Sequence, residues 1–448
     1  MINKADVEKA LGISIPISSE MKEAIQLWSD IYTNKAYWLK EDIVSLDLAS
    51  EVASETARLI TNGGKSWISG SARADYLQEQ YSTYMNRIRK DTELACMLGG
   101  IILKPYVLND KIKVDAVTAD RFYPVSYDSD GELTSAVFIE QQIVGKNVYT
   151  RLEYHDFNEE AKMCTIQNRA YISNDLISLG KECSLTDVDS WKDYIPSMVI
   201  RDIDKPLFSY FKMPDANNID RASPVGISCF AKATEQIRQA DEHWALIMWE
   251  YDGSQLAIDA PSSIFKKVNG KFAMPKRMQR LFRQTEIDSI KETPIKEFSP
   301  AIRDISLFNG FNRILQRIEF NCALAYGTIS DPQTIEKTAE EVRSGKERSR
   351  SSMQEKQKSL EAALKHLIWI MNEYADYYKL APAGAYEVSF EWGEGVAVDR
   401  EKEFSRQLQL VTAGYLKPEK LIAWYFGCSE EEAKEYVPAQ QPLFGGSG

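Results

Sequence analysis

The sequence has few histidines and lacks the spacings that usually mark a metal site or a catalytic nucleophile. Its three histidines, His155, His243 and His366, are far apart and form neither HExxH nor another metal-binding spacing. There is no GxSxG motif, and the six cysteines include no CxxC pair. Isolated cysteines favour reduced structural thiols over a disulfide framework. We therefore expect no enzymatic activity, no cofactor and no metal.

Long apolar runs are also missing. The longest, WALIMW at residues 244–249, is far short of the ~20 residues that cross a bilayer. The N-terminus lacks the basic and then apolar regions of a signal peptide. The formal net charge is -12, so the surface as a whole does not attract nucleic acid. We expect a soluble protein without membrane contact, in which any contact with DNA or RNA is local.

What is present is the composition of a folded chain. The 448 residues, 44% of them hydrophobic, are too many for one ordinary core and too apolar for disorder. Residues 1–110 read mainly as amphipathic helices: one starts at the serines of SSEMKEAIQLW, one ends at Asn62-Gly63, and one covers residues 73–100. In residues 111–212 apolar and polar residues alternate, as is typical of strands, and the turn DSDG lies among them. This pattern predicts a β-rich insert. The predicted fold class is α+β, mainly helical.

The second half predicts long helices around an irregular segment. Residues 227–251 and 303–326 have helical patterns, whereas residues 254–300 between them are interrupted by prolines. Another helix, of about 40 residues, starts near Pro332 with Asp331 as its cap and would reach ~60 Å. Such a helix needs neighbours along its length. The strand YEVSFEW, two or three short helices and the tail QQPLFGGSG complete the chain.

The stretch NGGKS, residues 62–66, resembles the end of a phosphate-binding P-loop. The full motif needs a glycine where Leu59 stands, and it needs a preceding strand where the pattern predicts a helix. The sequence therefore favours a helix C-cap here and no ATPase.

A basic segment stands out in this acidic chain. PSSIFKKVNGKFAMPKRMQRLFRQT, residues 261–285, has no acidic side chain and interleaves phenylalanines with basic residues. It could contact a phosphate backbone or an acidic partner protein. It could equally be a solvated face whose aromatic side chains lie in a core. Its basic residues are Lys266, Lys267, Lys271, Lys276, Arg277, Arg280 and Arg283.

A second charged stretch, KTAEEVRSGKERSRSSMQEK at residues 337–356, mixes both signs. Glu340 and Arg343 are spaced i,i+3, which supports a helix. Gly345 lies between two apolar stripes and is the natural place for a bend. The pattern favours a solvated or protein-packed helix over a nucleic-acid grip.

Several segments, in this order, resemble a portal protein of tailed bacteriophages, of the siphophage or prophage type found in Gram-positive hosts. They are WSDIYTNKAYW, LDLASEVASETARLITN, PLFSYFKMPDANNIDRASPVGISCFAKATEQIRQADEHW, KTAEEVRSGKERSRSSMQEKQKSLEAALKHL and AGYLKPEKLIAWYFGCSEEEAKEY. The resemblance covers about residues 28–436. It rests on the character and order of segments, without a catalytic signature.

The resemblance implies a ring, usually of twelve subunits, at one capsid vertex. DNA is pumped through its channel by a separate terminase, and the ring later connects head to tail. By position it implies a helical wing part (1–110), a β-rich wing part (111–212), a loop and first stem helix (213–253), a clip (254–300), a second stem helix (301–326), a tunnel loop (327–331), a long kinked wing helix (332–380) and a strand, crown helices and flexible tail (381–448).

The same resemblance implies the sites and partners. The DNA-facing tunnel loop would be Gly327, Thr328, Ile329, Ser330 and Asp331. The basic clip residues would line the exit mouth or dock an acidic partner. The expected partners are further copies of the chain, terminase, head-completion or adaptor proteins, major capsid and scaffolding proteins, and double-stranded DNA without sequence specificity. The expected location is the virion's portal vertex, with assembly in the host cytoplasm.

One rival reading remains open on the residues themselves. A helical scaffold or adaptor without a channel could use the basic segment to bind an acidic partner. The absence of an ATP motif suits the portal interpretation, since a passive conduit takes its energy from elsewhere.

Overall fold

The computed structural model divides the chain into two compact units, Met1–Gly393 and Glu394–Gly448. The structure describes residues 2–254, 257–261, 267–268, 271–272, 282–285, 296–298, 301–332, 339–393, 400–426, 433–434 and 436. Within these, the strands between residues 257 and 298 and the helical residues 339–343 and 400–403 are described by their backbone alone.

Five helices lie in the first hundred residues: α1 (Lys4–Leu11), α2 (Ser19–Tyr32), α3 (Leu48–Thr61), α4 (Ala72–Met85) and α5 (Ile88–Leu98). The Ser18 hydroxyl accepts the Met21 N–H and so caps α2, as the serines of that stretch predict. Asn62 is the C-cap of α3, also as predicted. The helix predicted over residues 73–100 is two helices, because the chain turns at Asn86 and Arg87.

The remaining helices of the first unit are α6 (Thr234–Gly253), α7 (Asp304–Asn321) and α8 (Ala339–Tyr377); those of the second unit are α9 (Arg400–Thr412) and α10 (Pro418–Phe426). The end of α6 at Gly253 and the great length of α8 agree with the sequence pattern. In contrast, α6 starts seven residues after the predicted start at residue 227, and α7 ends five residues before the predicted end at residue 326. The helical hydrogen bonding of α8 continues through Gly345. The helix therefore does not break there, and a bend of its axis stays a prediction.

In chain order the strands of the described residues are β1 (Lys65–Ser69), β2 (Gly100–Leu108), β3 (Lys111–Thr118), β4 (Phe122–Tyr127), β5 (Leu133–Val144), β6 (Asn147–Asn158), β7 (Met163–Ser173), β8 (Lys181–Cys183), β9 (Ser197–Arg201), β10 (Ser209–Lys212), β11 (Ala257–Pro261), β12 (Lys267–Val268), β13 (Lys271–Phe272), β14 (Phe282–Thr285), β15 (Lys296–Phe298) and β16 (Glu387–Glu391). The largest sheet has the order β4-β5-β6-β7-β8, with β9 also paired to β7. The turn DSDG joins β4 to β5 as predicted.

Smaller sheets have the orders β10-β2-β3, β1-β16, β14-β11-β15 and β12-β13. The β-rich region starts at Gly100, eleven residues before the change of pattern near Lys111. With helices and strands both abundant, the predicted α+β class is confirmed.

The main core lies among the N-terminal helices, the sheets and α8. On α2 the side chains of Met21, Ile25 and Trp28 are at most 2% exposed. Each fully buried side chain of this size contributes about 1.5–3 kcal/mol relative to exposure. Leu364 and Leu367 of α8 belong to the same cluster. The long helix thus finds the neighbours that its length requires.

Arg73 joins α4 to the end of α8. Its guanidinium is 1% exposed and bonds to four residues: Asn372 O and Oδ1 (both 3.1 Å), Asp376 Oδ1 (2.6 Å), Ala381 O (2.8 Å) and Pro382 O (2.9 Å). The planar guanidinium of an arginine suits this junction because it donates hydrogen bonds in several fixed directions.

Candidate functional site

Helices α6 and α7 form an antiparallel pair held by aromatic contacts, hereafter the helix pair. His243 stacks on Phe311, with ring centroids 6.2 Å apart and planes within 10°. Its Nε2 donates to Leu307 O at 3.0 Å. Trp244 contacts the rings of both Phe308 and Phe311. These contacts fix how the two helices lie against each other.

An ion pair closes the other end of the helix pair. Arg303 Nε and Nη2 donate to the two carboxylate oxygens of Glu250 at 3.0 and 2.7 Å. These hydrogen bonds lower the pKa of Glu250 below its usual value. Such a two-point contact is the strong form of an arginine–carboxylate pair.

The loop that follows α7 is fastened to that helix by a buried carboxylate. Glu319 is 0% exposed. Its Oε1 accepts the backbone N–H groups of Ile329 (2.8 Å) and Ser330 (2.9 Å), and its Oε2 accepts the Ser330 hydroxyl (2.8 Å). Residues 329 and 330 are therefore tied firmly to α7.

A second pair of hydrogen bonds fixes the end of the same loop. Asn312 Oδ1 accepts the Asp331 N–H at 2.8 Å, and Asn312 Nδ2 donates to Asp331 O at 3.1 Å. Gly327, at the start of the loop, has φ +85°, a conformation that a side chain would strain. Its N–H donates to the Ser330 hydroxyl at 3.3 Å. The loop is thus braced at its start, middle and end.

The five residues predicted to face DNA differ in exposure. Gly327, Thr328 and Asp331 are exposed. Ile329 packs against the core, and Ser330 is 6% exposed. The exposed surface of the loop is therefore formed by Gly327, Thr328 and Asp331.

The predicted bend residue lies beside this loop. A Cβ added to Gly345 would lie 3.4 Å from the Tyr326 ring, which is an ordinary van der Waals contact. The ring of Phe320 on α7 also lies 4.1 Å from the Arg348 guanidinium of α8. The start of the described part of α8 thus packs beside the loop and the end of α7.

Apolar side chains remain exposed on the helix pair. Trp249 is 64% exposed and Ile305 is 74% exposed. The others are Leu246, Met248, Phe308 and Phe320. A group of large apolar side chains on one helical hairpin is typical of a surface that a partner covers.

The seven basic residues of the segment 261–285 lie outside the described side chains. Lys266, Lys276, Arg277 and Arg280 lie outside the described residues. Lys267, Lys271 and Arg283 lie on strands described by backbone alone. The proposed role of all seven stays a prediction.

The three histidines have bonded partners. His155 Nε2 donates to Glu153 at 2.7 Å in a buried cluster where Lys104 Nζ reaches the same carboxylate at 2.6 Å. His366 Nε2 donates to Pro206 O at 2.9 Å. Burial lowers the pKa of both imidazoles.

The described part of the chain contains no group of three or more His, Cys, Asp or Glu side chains placed to hold a metal. No described helix combines the length and apolar composition of a bilayer span.

The P-loop-like stretch runs from helix to strand. Asn62 ends α3, Gly63 has φ +69°, and Lys65 begins β1. A phosphate-binding loop needs a strand before it and a helix after it. The helix C-cap interpretation therefore holds.

Glu319 and Asn312 are the site residues that the sequence did not reveal. Each stands as a single polar position within the amphipathic pattern of α7, and such positions normally face solvent. The only local signal was the polar loop GTISD that follows.

Residues 17–440 match the family described as phage portal protein, SPP1 Gp6-like, and the chain belongs to this family. No curated protein sequence matches the chain. The resemblance to phage portal proteins is confirmed, whereas the siphophage type and the Gram-positive host stay predictions.

Proposed function

We propose that this chain forms a ring of twelve subunits that serves as head–tail connector and as channel for double-stranded DNA during packaging and ejection. The match to phage portal proteins over residues 17–440 carries this proposal. The ring would sit at one capsid vertex of the virion after assembly in the host cytoplasm. In this proposal α6 and α7 are the stem, and α8 connects the tunnel loop to the wing.

The loop after α7 is the proposed DNA-facing element. Its outward residues, Gly327, Thr328 and Asp331, include no lysine or arginine. Strong phosphate binding would release counterions and hold the DNA in place. A braced loop without a cation supports steric contact along which DNA slides.

The exposed apolar side chains of the helix pair are the proposed contacts between neighbouring subunits. Trp249 and Ile305 project from the two helices with most of their surface exposed. A second copy that covers them would remove this apolar surface from water. In a head-to-tail ring each helix pair contacts two different faces of its neighbours.

The segment 254–300 is the proposed clip, which docks terminase and later the head-completion proteins. Its basic residues would meet an acidic partner or line the exit mouth. The test reverses Lys276, Arg277 and Arg280 to Glu and measures packaging and terminase binding. Unchanged packaging and binding would count against both versions. Contacts with major capsid and scaffolding proteins complete the proposed set of partners.

Particle images separate the ring from the rival adaptor without a channel. Negative-stain images of the purified chain should contain closed rings with a central hole. A species that stays monomeric under every condition, including capsid assembly, would favour the adaptor.

A further inference from the structure

A cleft far along the chain from the loop after α7 lies between the largest sheet and α8. Its volume is about 360 Å³, within the range typical of ligand sites. The walls come from the turn between β4 and β5, the end of β6, residues 204–212 and one face of α8. None of the residues of the helix pair or of the loop 327–331 lines it.

The floor of this cleft is fixed by side-chain hydrogen bonds between α8 and residues 206–212. These bonds run from Ser209 Oγ to Ala363 O (2.7 Å), from Ser359 Oγ to Lys212 O (2.6 Å) and from His366 Nε2 to Pro206 O (2.9 Å). They occupy the donors of three polar side chains that line the cleft. A fixed floor costs a ligand little ordering entropy.

The deeper wall is apolar. Leu133, Phe157 and Phe208 line it and are 6%, 8% and 1% exposed, and the small Ala363 lies opposite on α8. An apolar side chain entering the cleft would be removed from water against these groups. The interior therefore selects an aliphatic or aromatic group.

The charged lining is mostly acidic. Four carboxylates stand against two lysines: Asp128, Glu132, Glu159 and Asp204 against Lys205 and Lys212. Glu132 and Glu159 are exposed, whereas Asp204 is already paired with Lys162 at 2.7 Å. An excess of carboxylates attracts a cation and repels an anion.

We propose that this cleft docks a segment of another protein in which one apolar side chain is flanked by lysines or arginines. The apolar side chain enters against Phe208, and the flanking cations meet Glu132 and Glu159. The charge of the lining indicates which kind of partner the cleft binds. The excess of carboxylates over lysines in the lining complements a basic segment of a partner protein.

Fluorescence anisotropy with three labelled hexapeptides tests the proposal on the full-length protein. One peptide has a central leucine between lysines, one has glutamates in place of the lysines, and one has glycine in place of the leucine. We expect saturable binding of the first alone. Glu159→Lys should weaken it about tenfold in Kd, because it replaces an attraction by a repulsion. Glu160→Lys, on an exposed neighbour outside the lining, should change Kd less than about twofold.

Ala362→Trp tests the cavity itself. Ala362 is exposed and lines the cleft, so a tryptophan there fills space without disturbing the core. We expect loss of leucine-peptide binding with an unchanged circular dichroism spectrum. Binding that survives both Ala362→Trp and Glu159→Lys would overturn the proposal, as would equal binding of the lysine and glutamate peptides. Loss of binding as the protein oligomerises would instead assign the cleft to a second copy and also overturn it.

Discussion

The carboxylate of Glu319 on α7 holds Ser330, eleven residues later, through two hydrogen bonds. It accepts the Ser330 N–H at 2.9 Å and the Ser330 hydroxyl at 2.8 Å. Glu319 is 0% exposed and Ser330 is 6% exposed. The end of the proposed stem and the proposed DNA-facing loop are therefore one mechanical piece, and the loop moves with α7.

Glu319→Ala should destabilise the protein and loosen this loop. The substitution leaves three donors of residues 329 and 330 without their acceptor, which costs about 2–4 kcal/mol of unfolding free energy. Glu319→Gln keeps one acceptor oxygen and should cost less. Urea unfolding measures both variants. The matched control is Glu355→Ala on the exposed face of α8, expected within about 0.5 kcal/mol of the parent. Equal stability of Glu319→Ala and this control would show that the hydrogen bonds of Glu319 do not stabilise the loop.

Arg73→Ala should be among the most destabilising single changes in the first unit. Its buried guanidinium donates five hydrogen bonds across the junction between α4 and the end of α8. Removing it leaves carbonyl groups unpaired and costs about 3–5 kcal/mol. Arg73→Lys should recover little, because an ammonium cannot reproduce the fork. Thermal unfolding beside the exposed control Arg89→Ala checks this, and a full rescue by lysine would refute the role of the fork.

Acidification should destabilise the protein through His366. Burial lowers its pKa from 6.5 to about 4. Between these values the unfolded chain binds the proton and the folded chain does not, so stability is complete above pH 6.5 and falls as the pH drops to about 4. The loss amounts to about 3 kcal/mol. Unfolding free energies at pH 7.5 and 4.5 should differ less in His366→Gln than in the parent. Identical differences in both proteins would exclude this histidine as the cause.

Ile305→Glu should weaken subunit association while leaving the protomer folded. The side chain is 74% exposed in the single chain, so the substitution disturbs no internal packing. In a ring it would place a carboxylate in an apolar contact, which is strongly unfavourable. Mass photometry should find smaller species than in the parent. Ser306→Glu adds the same charge at the next exposed position and should leave the assembly intact; equal behaviour of the two variants would remove Ile305 from the interface.

The sequence predicted those helix ends and turns that depend only on neighbouring residues. The Ser18 cap, the end of α3 at Asn62 and the DSDG hairpin depend on residues within one turn of the feature. The split between α4 and α5 was missed, because no proline or glycine marks it. Strand β2 was also missed, because its first six residues are buried and do not alternate.

Contacts between residues that are far apart in the chain could not be predicted from the sequence pattern. Strand β1 pairs with β16, more than three hundred residues later, through Lys65 and Glu391 at one end. The hydrogen bonds between Glu319 and Ser330 also depend on how α7 packs. The periodicity of α7 does not reveal which of its polar residues is buried. The order of segments pointed to the family, whereas the hydrogen bonds that hold the loop depend on tertiary packing.

The proposed function depends most on the loop after α7 facing DNA. A photo-crosslinking side chain placed at the exposed Thr328 in DNA-filled particles tests this directly, with the same group at the exposed Glu41 as control. We predict that irradiation joins DNA to the protein labelled at residue 328 and leaves the protein labelled at residue 41 free. Absence of DNA crosslinks at residue 328, or equal crosslinking at both positions, would contradict the account.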